Sequence, residues 1–183
     1  MKCLICGMEI SLKSINVNKS AFLKSNSDSI IYYCPFCGAI NEYIVDGDKM
    51  DLLSNNKLND VELKIIEHAM KLEIFNGDFY KQASELASSK EIKDMFSALS
   101  RIEYTHARIH QKLCEYGELP LLNKIDYKRY QNDEELLQQA KLREIHAIHY
   151  YNKYEGNIEN PNVKVILKEL KRVEEEHISL IEK

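Results

Sequence analysis

A glutamate followed three residues later by a histidine occurs twice in this chain, as Glu103-Tyr-Thr-His106 and as Glu174-Glu-Glu-His177, 71 residues apart. The same offset carries Glu73 onto Glu144, Tyr80 onto Tyr151, Phe96 onto Leu167, Leu99 onto Leu170 and Ile102 onto Val173. Residues three apart share one face of an α-helix, so each motif aims a carboxylate and an imidazole the same way. Each is preceded 30 residues earlier by a further glutamate within an apolar stripe. Such a duplication implies two helical hairpins whose common core must accept four carboxylates and two imidazoles.

An unpaired carboxylate on an apolar seam costs several kcal/mol or stays protonated. Two divalent cations remove that conflict, and four Glu with two His are the ligands by which bundle cores hold two iron or two manganese ions. On this reading Glu103 and Glu174 bridge both ions. Glu73 with His106 completes one position, and Glu144 with His177 the other. Tyr80 and Tyr151, two turns beyond Glu73 and Glu144, are placed to donate hydrogen bonds to the ligand carboxylates. His110 has Ile181 at the 71-residue offset and reads as a neighbour of the site or a core residue. His146 and His149 leave the seam, Cys114 reads as a small core residue, and Glu175 and Glu176 read as a solvated face.

The helices can be placed from their caps and stripes. Helix 1 starts at Asn59 or Asp60, with Glu62 available for a capping box, and is striped at Leu63, Ile66, Met70, Glu73, Gly77, Tyr80, Ser84 and Ala87. A second box, Ser88-Ser-Lys-Glu91, opens helix 2, which ends near Gly117 and Pro120. Residues 118–132 are long enough for a crossover. Asn132 with Glu135 opens helix 3, striped at Leu137, Ala140, Glu144, Ile148 and Tyr151, and Asn160-Pro161 opens helix 4. Two antiparallel hairpins joined by one long crossover is the ferritin-like four-helix arrangement.

The first 45 residues carry a different signal. Cys3-Leu-Ile-Cys6-Gly7 and Cys34-Pro-Phe-Cys37-Gly38 are matching knuckles, and two such pairs supply a four-thiolate site for one zinc or one iron. The runs Ile30–Tyr33 and Ala39–Val45 read as two short strands, giving a small β-containing ribbon. Its polar loop offers little core, so the metal is expected to hold it together. The expected organisation is therefore a four-cysteine module over 1–45, a turn-rich linker over 46–58 and a helical bundle over 59–183.

Composition narrows the function. With 25 basic against 29 acidic residues, no polybasic surface for nucleic acid or for a membrane is implied. There is no apolar run of transmembrane length and no signal-peptide pattern, so a cytoplasmic location is the default expectation.

At residues 72–80, 91–106 and 144–177 the chain resembles the rubrerythrin branch of the ferritin-like superfamily, and the knuckles resemble those of rubredoxins and zinc ribbons. The resemblance implies a di-iron centre that reduces hydrogen peroxide, or dioxygen, in oxidative-stress defence. It also implies an electron-donating reductase acting through the four-cysteine site, and a homodimer. Two departures stand out: the four-cysteine module is N-terminal, and Ala147 occupies the position of an additional rubrerythrin glutamate. The alternatives are a ferroxidase or iron-handling protein, and a zinc ribbon that recruits a partner protein beside a sensory bundle.

Overall fold

The structure, a computed structural model, describes residues 1–47, 49–130 and 132–183. Asp48, in the expected linker, and Gln131, in the expected crossover, lie outside the described residues.

Four long helices make up the bundle: α1 (Asp60–Leu86), α2 (Lys90–Leu113), α3 (Asp133–Tyr154) and α4 (Pro161–Ile181). α1 packs along α2 and α3 along α4, and the segment from Cys114 to Tyr130 crosses between the hairpins. Among the described residues no helix is long and apolar enough to cross a membrane.

The caps explain the boundaries. Asn59 and Glu62 form the full reciprocal capping box. Glu62 also accepts the amides of Glu159 (2.8 Å) and Asn160 (2.9 Å), tying the start of α1 to the start of α4, and is therefore buried. Asn160 caps α4 through the amides of Asn162 and Val163, with Pro161 at the first helical position, where a missing N–H costs nothing. The box expected at Ser88–Glu91 does not form. The carboxylate of Asp133, at the start of α3, instead accepts the Ser88 and Ser89 amides, so a partner across the bundle replaces the local cap.

Core positions on α2 and α4 recur at steps of three and four residues, as Phe96, Leu99, Glu103, His106, His110 and Leu113 and as Val163, Leu167, Leu170, Glu174, His177 and Ile181. On α3 the buried set is Leu136, Ala140, Glu144, Ala147 and Tyr151, with Leu137 and Ile148 only partly covered. The correction is a small rotation of the helix that leaves Glu144 and Tyr151 inward. Phe79, Tyr80, Phe96 and Leu99 are fully buried, each contributing roughly 1.5–3 kcal/mol by burial. Gly77 lets the Tyr104 ring lie against α1, because a Cβ there would meet it at 3.2 Å. The crossover is pinned by Tyr127, which is buried against Phe79 and accepts a hydrogen bond from Arg143 at 2.8 Å.

The N-terminal segment contains less strand than its sequence implies. The sheet is two residues wide on each side, β1 (Lys2–Cys3) against β2 (Ile44–Val45), antiparallel. Ile30–Tyr33 is not a strand and contributes only a bridge from Tyr33 to Ile40. Asn26 takes over its backbone groups, its Oδ1 accepting the Tyr32 and Tyr33 amides and its Nδ2 donating to the Tyr33 carbonyl. A buried side chain thus stands in for a partner strand.

Candidate metal centres

The two knuckles are built alike. In each the first cysteine carbonyl accepts the amide of the following glycine at 2.9 Å, Cys3 from Gly7 and Cys34 from Gly38. Both glycines sit in the left-handed region, at φ 74° and 76°, which a side chain would strain. The thiols face one another, with Cys3 Sγ 3.8 Å from Cys37 Sγ and Cys6 Sγ 3.7 Å from Cys34 Sγ. A tetrahedral ion with metal–sulfur bonds near 2.3 Å requires sulfur–sulfur edges of about 3.8 Å. All four cysteines are buried, and burial holds the Cys34 and Cys37 thiols well above their ordinary pKa. The set therefore fits a single tetrahedral metal ion.

Within the bundle, each helix contributes to a second cluster. Glu73 comes from α1, Glu103 and His106 from α2, Glu144 from α3, and Glu174 and His177 from α4; all six are at most 1 % exposed. They fall into two overlapping groups, Glu73/Glu103/His106/Glu174 and Glu103/Glu144/Glu174/His177. Glu103 and Glu174 belong to both, as the two bridging positions require. His106 Nδ1 lies 3.0 Å from Glu174 Oε1, and His177 Nδ1 lies 2.9 Å from Glu174 Oε2 and 3.3 Å from Glu103 Oε1. The two imidazoles lie nearly parallel, 12° apart.

These close approaches lack hydrogen-bond geometry. Both oxygens of Glu103 and Glu174, Oε2 of Glu73 and of Glu144, and both Nδ1 atoms are buried without a hydrogen-bond partner. Orphaned polar atoms are rare in a folded core, and here they converge on one place. Two cations would satisfy them together, so the residues present fit a di-metal centre.

Around the cluster the tyrosines cross over. Tyr80 of α1 donates to Glu144 Oε1 of α3, and Tyr151 of α3 donates to Glu73 Oε1 of α1. Sequence spacing had put each tyrosine on the helix of the other's glutamate, and only the packing of α1 beside α3 makes the exchange. Each bond occupies one carboxylate oxygen and leaves the other, Oε2, buried without a hydrogen-bond partner. His110 Nε2 lies 2.9 Å from the Tyr151 hydroxyl, while position 181 offers no such group to Tyr80. The two halves of the centre are therefore not equivalent. Ala147 is buried and supplies no carboxylate.

The remaining candidates lie elsewhere. His146 and His149 are exposed and line a surface cleft of about 560 Å³ with His68, Lys64 and Lys153. Cys114 is buried at the end of α2, its thiol pKa pushed up to about 12 by burial. Glu175 is exposed, but Glu176 is partly buried and accepts a hydrogen bond from Arg172 at 2.6 Å, so only half of the expected solvated pair is solvated.

One contact joins the two centres. His106 Nε2 lies 2.9 Å from the carbonyl oxygen of Cys37. A carbonyl only accepts, so Nε2 carries a proton and Nδ1 is the nitrogen left for a metal. Residues 34–40 are held in place for this contact from three further directions. Arg172 Nη2 donates to the Gly38 carbonyl at 2.8 Å, the Ile40 amide donates to Glu169 Oε1 at 2.9 Å, and Asn18 Nδ2 donates to the Pro35 carbonyl at 2.9 Å. Asn18 is itself held by Arg101 Nε at 2.7 Å. Spacing could not have revealed the carbonyl contact. The Glu169-x-x-Arg172-x-x-x-Glu176 spacing was visible, but it reads as a surface ion-pair ladder.

In the metal-free protein the cluster must hold protons. Burial and the charge of Glu174 raise Glu144 to about 7, and burial with Glu174 and Glu144 raises Glu103 well above the carboxylate range. Burial would lower His177, but Glu103, Glu144 and Glu174 outweigh it and raise it. For Glu174 burial is overcome by His106 and His177, which hold it well below the usual range, so its contribution is constant above pH 5. Groups whose folded pKa is raised stabilise the fold only while protonated, so that stability is lost as pH rises through the folded values. The metal-free melting temperature is expected to fall between pH 5 and pH 8. Metal binding displaces those protons and strengthens with pH. Thermal melts of metal-free and metal-loaded protein at both pH values should show the gap between them widening.

Fold and site together define a helical bundle whose core carboxylates and imidazoles could hold two metal ions, with a four-cysteine cluster that could hold another. Residues 61–183 match the family described as Ferritin-like domain, and the chain belongs to that family. Comparison with curated proteins and with solved structures finds no match.

Proposed function

We propose that this chain is a non-haem di-iron oxidoreductase of rubrerythrin type, reducing hydrogen peroxide in oxidative-stress defence. Its electrons come from an external reductase and pass through an iron held by Cys3, Cys6, Cys34 and Cys37. The observation that carries the reading is the 2.9 Å contact between His106 and the Cys37 carbonyl. It gives a path of covalent bonds and one hydrogen bond from a thiolate ligand of one centre to an imidazole ligand of the other.

Two ferrous ions in the bundle would supply the two electrons that cleave the peroxide O–O bond. The residues do the rest. Glu103 and Glu174 hold the two positions together, and Glu73 with His106 and Glu144 with His177 close their ends. Tyr80 and Tyr151 fix one oxygen of each terminal carboxylate. Complete burial of all six ligands supports a substrate as small as peroxide. Reduced protein is expected to be oxidised by peroxide much faster than by dioxygen, checked by rapid mixing with each.

A ferroxidase reading is favoured by one observation, the buried Ala147 where rubrerythrins add a glutamate. The six-ligand set then matches simpler ferritin-like oxidases. Repeated turnover with excess Fe(II) and a retained mineral core would support it over the peroxidase.

A further inference from the structure

The di-metal cluster is symmetric in its ligands but not in what holds its two imidazoles. His106 Nε2 is anchored on the Cys37 carbonyl, whereas His177 Nε2 is buried without a partner. A histidine that ligates through one nitrogen depends on the bond made by the other for its tautomer and ring orientation. The anchor of His106 is the main chain of a residue whose side chain belongs to the other metal site. Its position depends both on the ion that closes the knuckle and on the clamp that holds residues 34–40 to the bundle. Resting on the di-metal reading, we infer that the second knuckle is a positioning element for one metal position only. Arg172 and Glu169 are its positioning residues, so the Glu73/His106 position is completed only when the four-cysteine site is loaded and docked.

The clamp is specific enough to support this. Arg172 reaches three acceptors at once: the Gly38 carbonyl at 2.8 Å, Glu169 Oε1 at 2.8 Å and Glu176 Oε2 at 2.6 Å. Glu169, 4 % exposed, uses the same Oε1 to accept the Ile40 amide. Gly38 lies so close to α4 that a Cβ would meet Val173 Cγ1 at 2.8 Å. Among the described residues His177 Nε2 has no such partner. Its Nδ1 lies within 3.4 Å of carboxylate oxygens of Glu103, Glu144 and Glu174, all within the cluster. The consequence is an order of assembly: the position that faces the electron-donating centre forms last, after its donor is in place.

The test uses the full chain with zinc in the four-cysteine site and Co(II) as the bundle probe, titrated to read the number and affinity of bound ions with their visible spectrum. Wild-type protein is expected to bind two Co(II). Arg172→Leu, which releases the Gly38 carbonyl, is expected to leave one ion at wild-type affinity and weaken the other by about 10–100-fold, the usual cost of losing an outer partner. Gly38→Ala, which pushes the knuckle off α4, should reproduce the split by a different route. In ¹⁵N-histidine spectra of protein with zinc only in the four-cysteine site, one ring N–H protected from solvent exchange should be present in wild type and lost in both variants. Equal affinities in wild type and variants would overturn the inference, and so would an equal weakening of both ions. Failure of wild-type protein to bind Co(II) in the bundle would instead overturn the di-metal reading beneath it.

Discussion

Replacing Glu174 by alanine is expected to remove both bundle metals at once. Its two oxygens face the two halves of the cluster, Oε1 at 3.0 Å from His106 Nδ1 and Oε2 at 2.9 Å from His177 Nδ1, and neither has a hydrogen-bond partner. Among the described residues, only Glu103 shares with it membership of both groups. Loss of a bridging ligand should exceed the roughly 10–100-fold loss of affinity that follows from disturbing an outer partner. The expected result is no retained bundle metal after gel filtration, with helical content kept and with the metal-dependent rise in melting temperature abolished. Glu175→Gln, one residue along and exposed, should bind metal as wild type does. Metal analysis and circular dichroism on the three proteins check this.

The second large effect is expected from Cys34→Ser. The first 47 residues have two strands of two residues each, and part of their buried apolar set is gathered around the thiols: Ile5, Ile10, Ile15 and Ala39 share a cluster with Cys3, Cys6, Cys34 and Cys37, whereas Ala21, Phe22 and Tyr33 pack with the bundle. Structural tetrathiolate metals contribute on the order of 10–16 kcal/mol to folding in small domains of this kind. A serine hydroxyl does not replace a thiolate in such a site. The variant is expected to lose that metal and to become sensitive to limited proteolysis before residue 47. The bundle should survive, because Phe79, Tyr80, Phe96 and Leu99 pack with Leu136 and Ala140 of α3 and Ile181 of α4, a buried set from which detachment of the N-terminal segment removes only Ala21, Phe22 and Tyr33. Under the proposed function, transfer of electrons from a donating reductase to peroxide should cease. Proteolysis followed by mass spectrometry, with a peroxide-dependent reductase assay, reads both halves of the expectation.

Much of this was legible because two repeats carried it. The 71-residue duplication picked out the six side chains that the fold gathers in the bundle core, and the two knuckles picked out the four thiols that it brings together, because both patterns rest on residue type and spacing. Helix ends were legible where the cap is local, as at Asn59 and Asn160, and not where it comes from afar, as Asp133 does for Ser88 and Ser89. Strand was overread at Ile30–Tyr33, where Asn26 supplies the hydrogen bonds that a neighbouring strand would have given. The crossed tyrosines and the Cys37 carbonyl on His106 depend on how helices and knuckle pack, and main-chain acceptors leave no trace in residue type. The role of Arg172 was hidden for a related reason: one of its three acceptors is a carbonyl 134 residues away.

The central claim is that the bundle and the four-cysteine site act as one peroxide-reducing unit within this chain. It is tested most directly by mixing anaerobically reduced protein with peroxide, and separately with dioxygen, while following the red absorption of the iron–tetrathiolate centre. This absorption is expected to return promptly with peroxide and much more slowly with dioxygen. Equal or reversed rates would contradict the peroxidase reading. A zinc ion at the four cysteines, or a tetrathiolate iron that stays reduced while the bundle is oxidised, would contradict the internal relay.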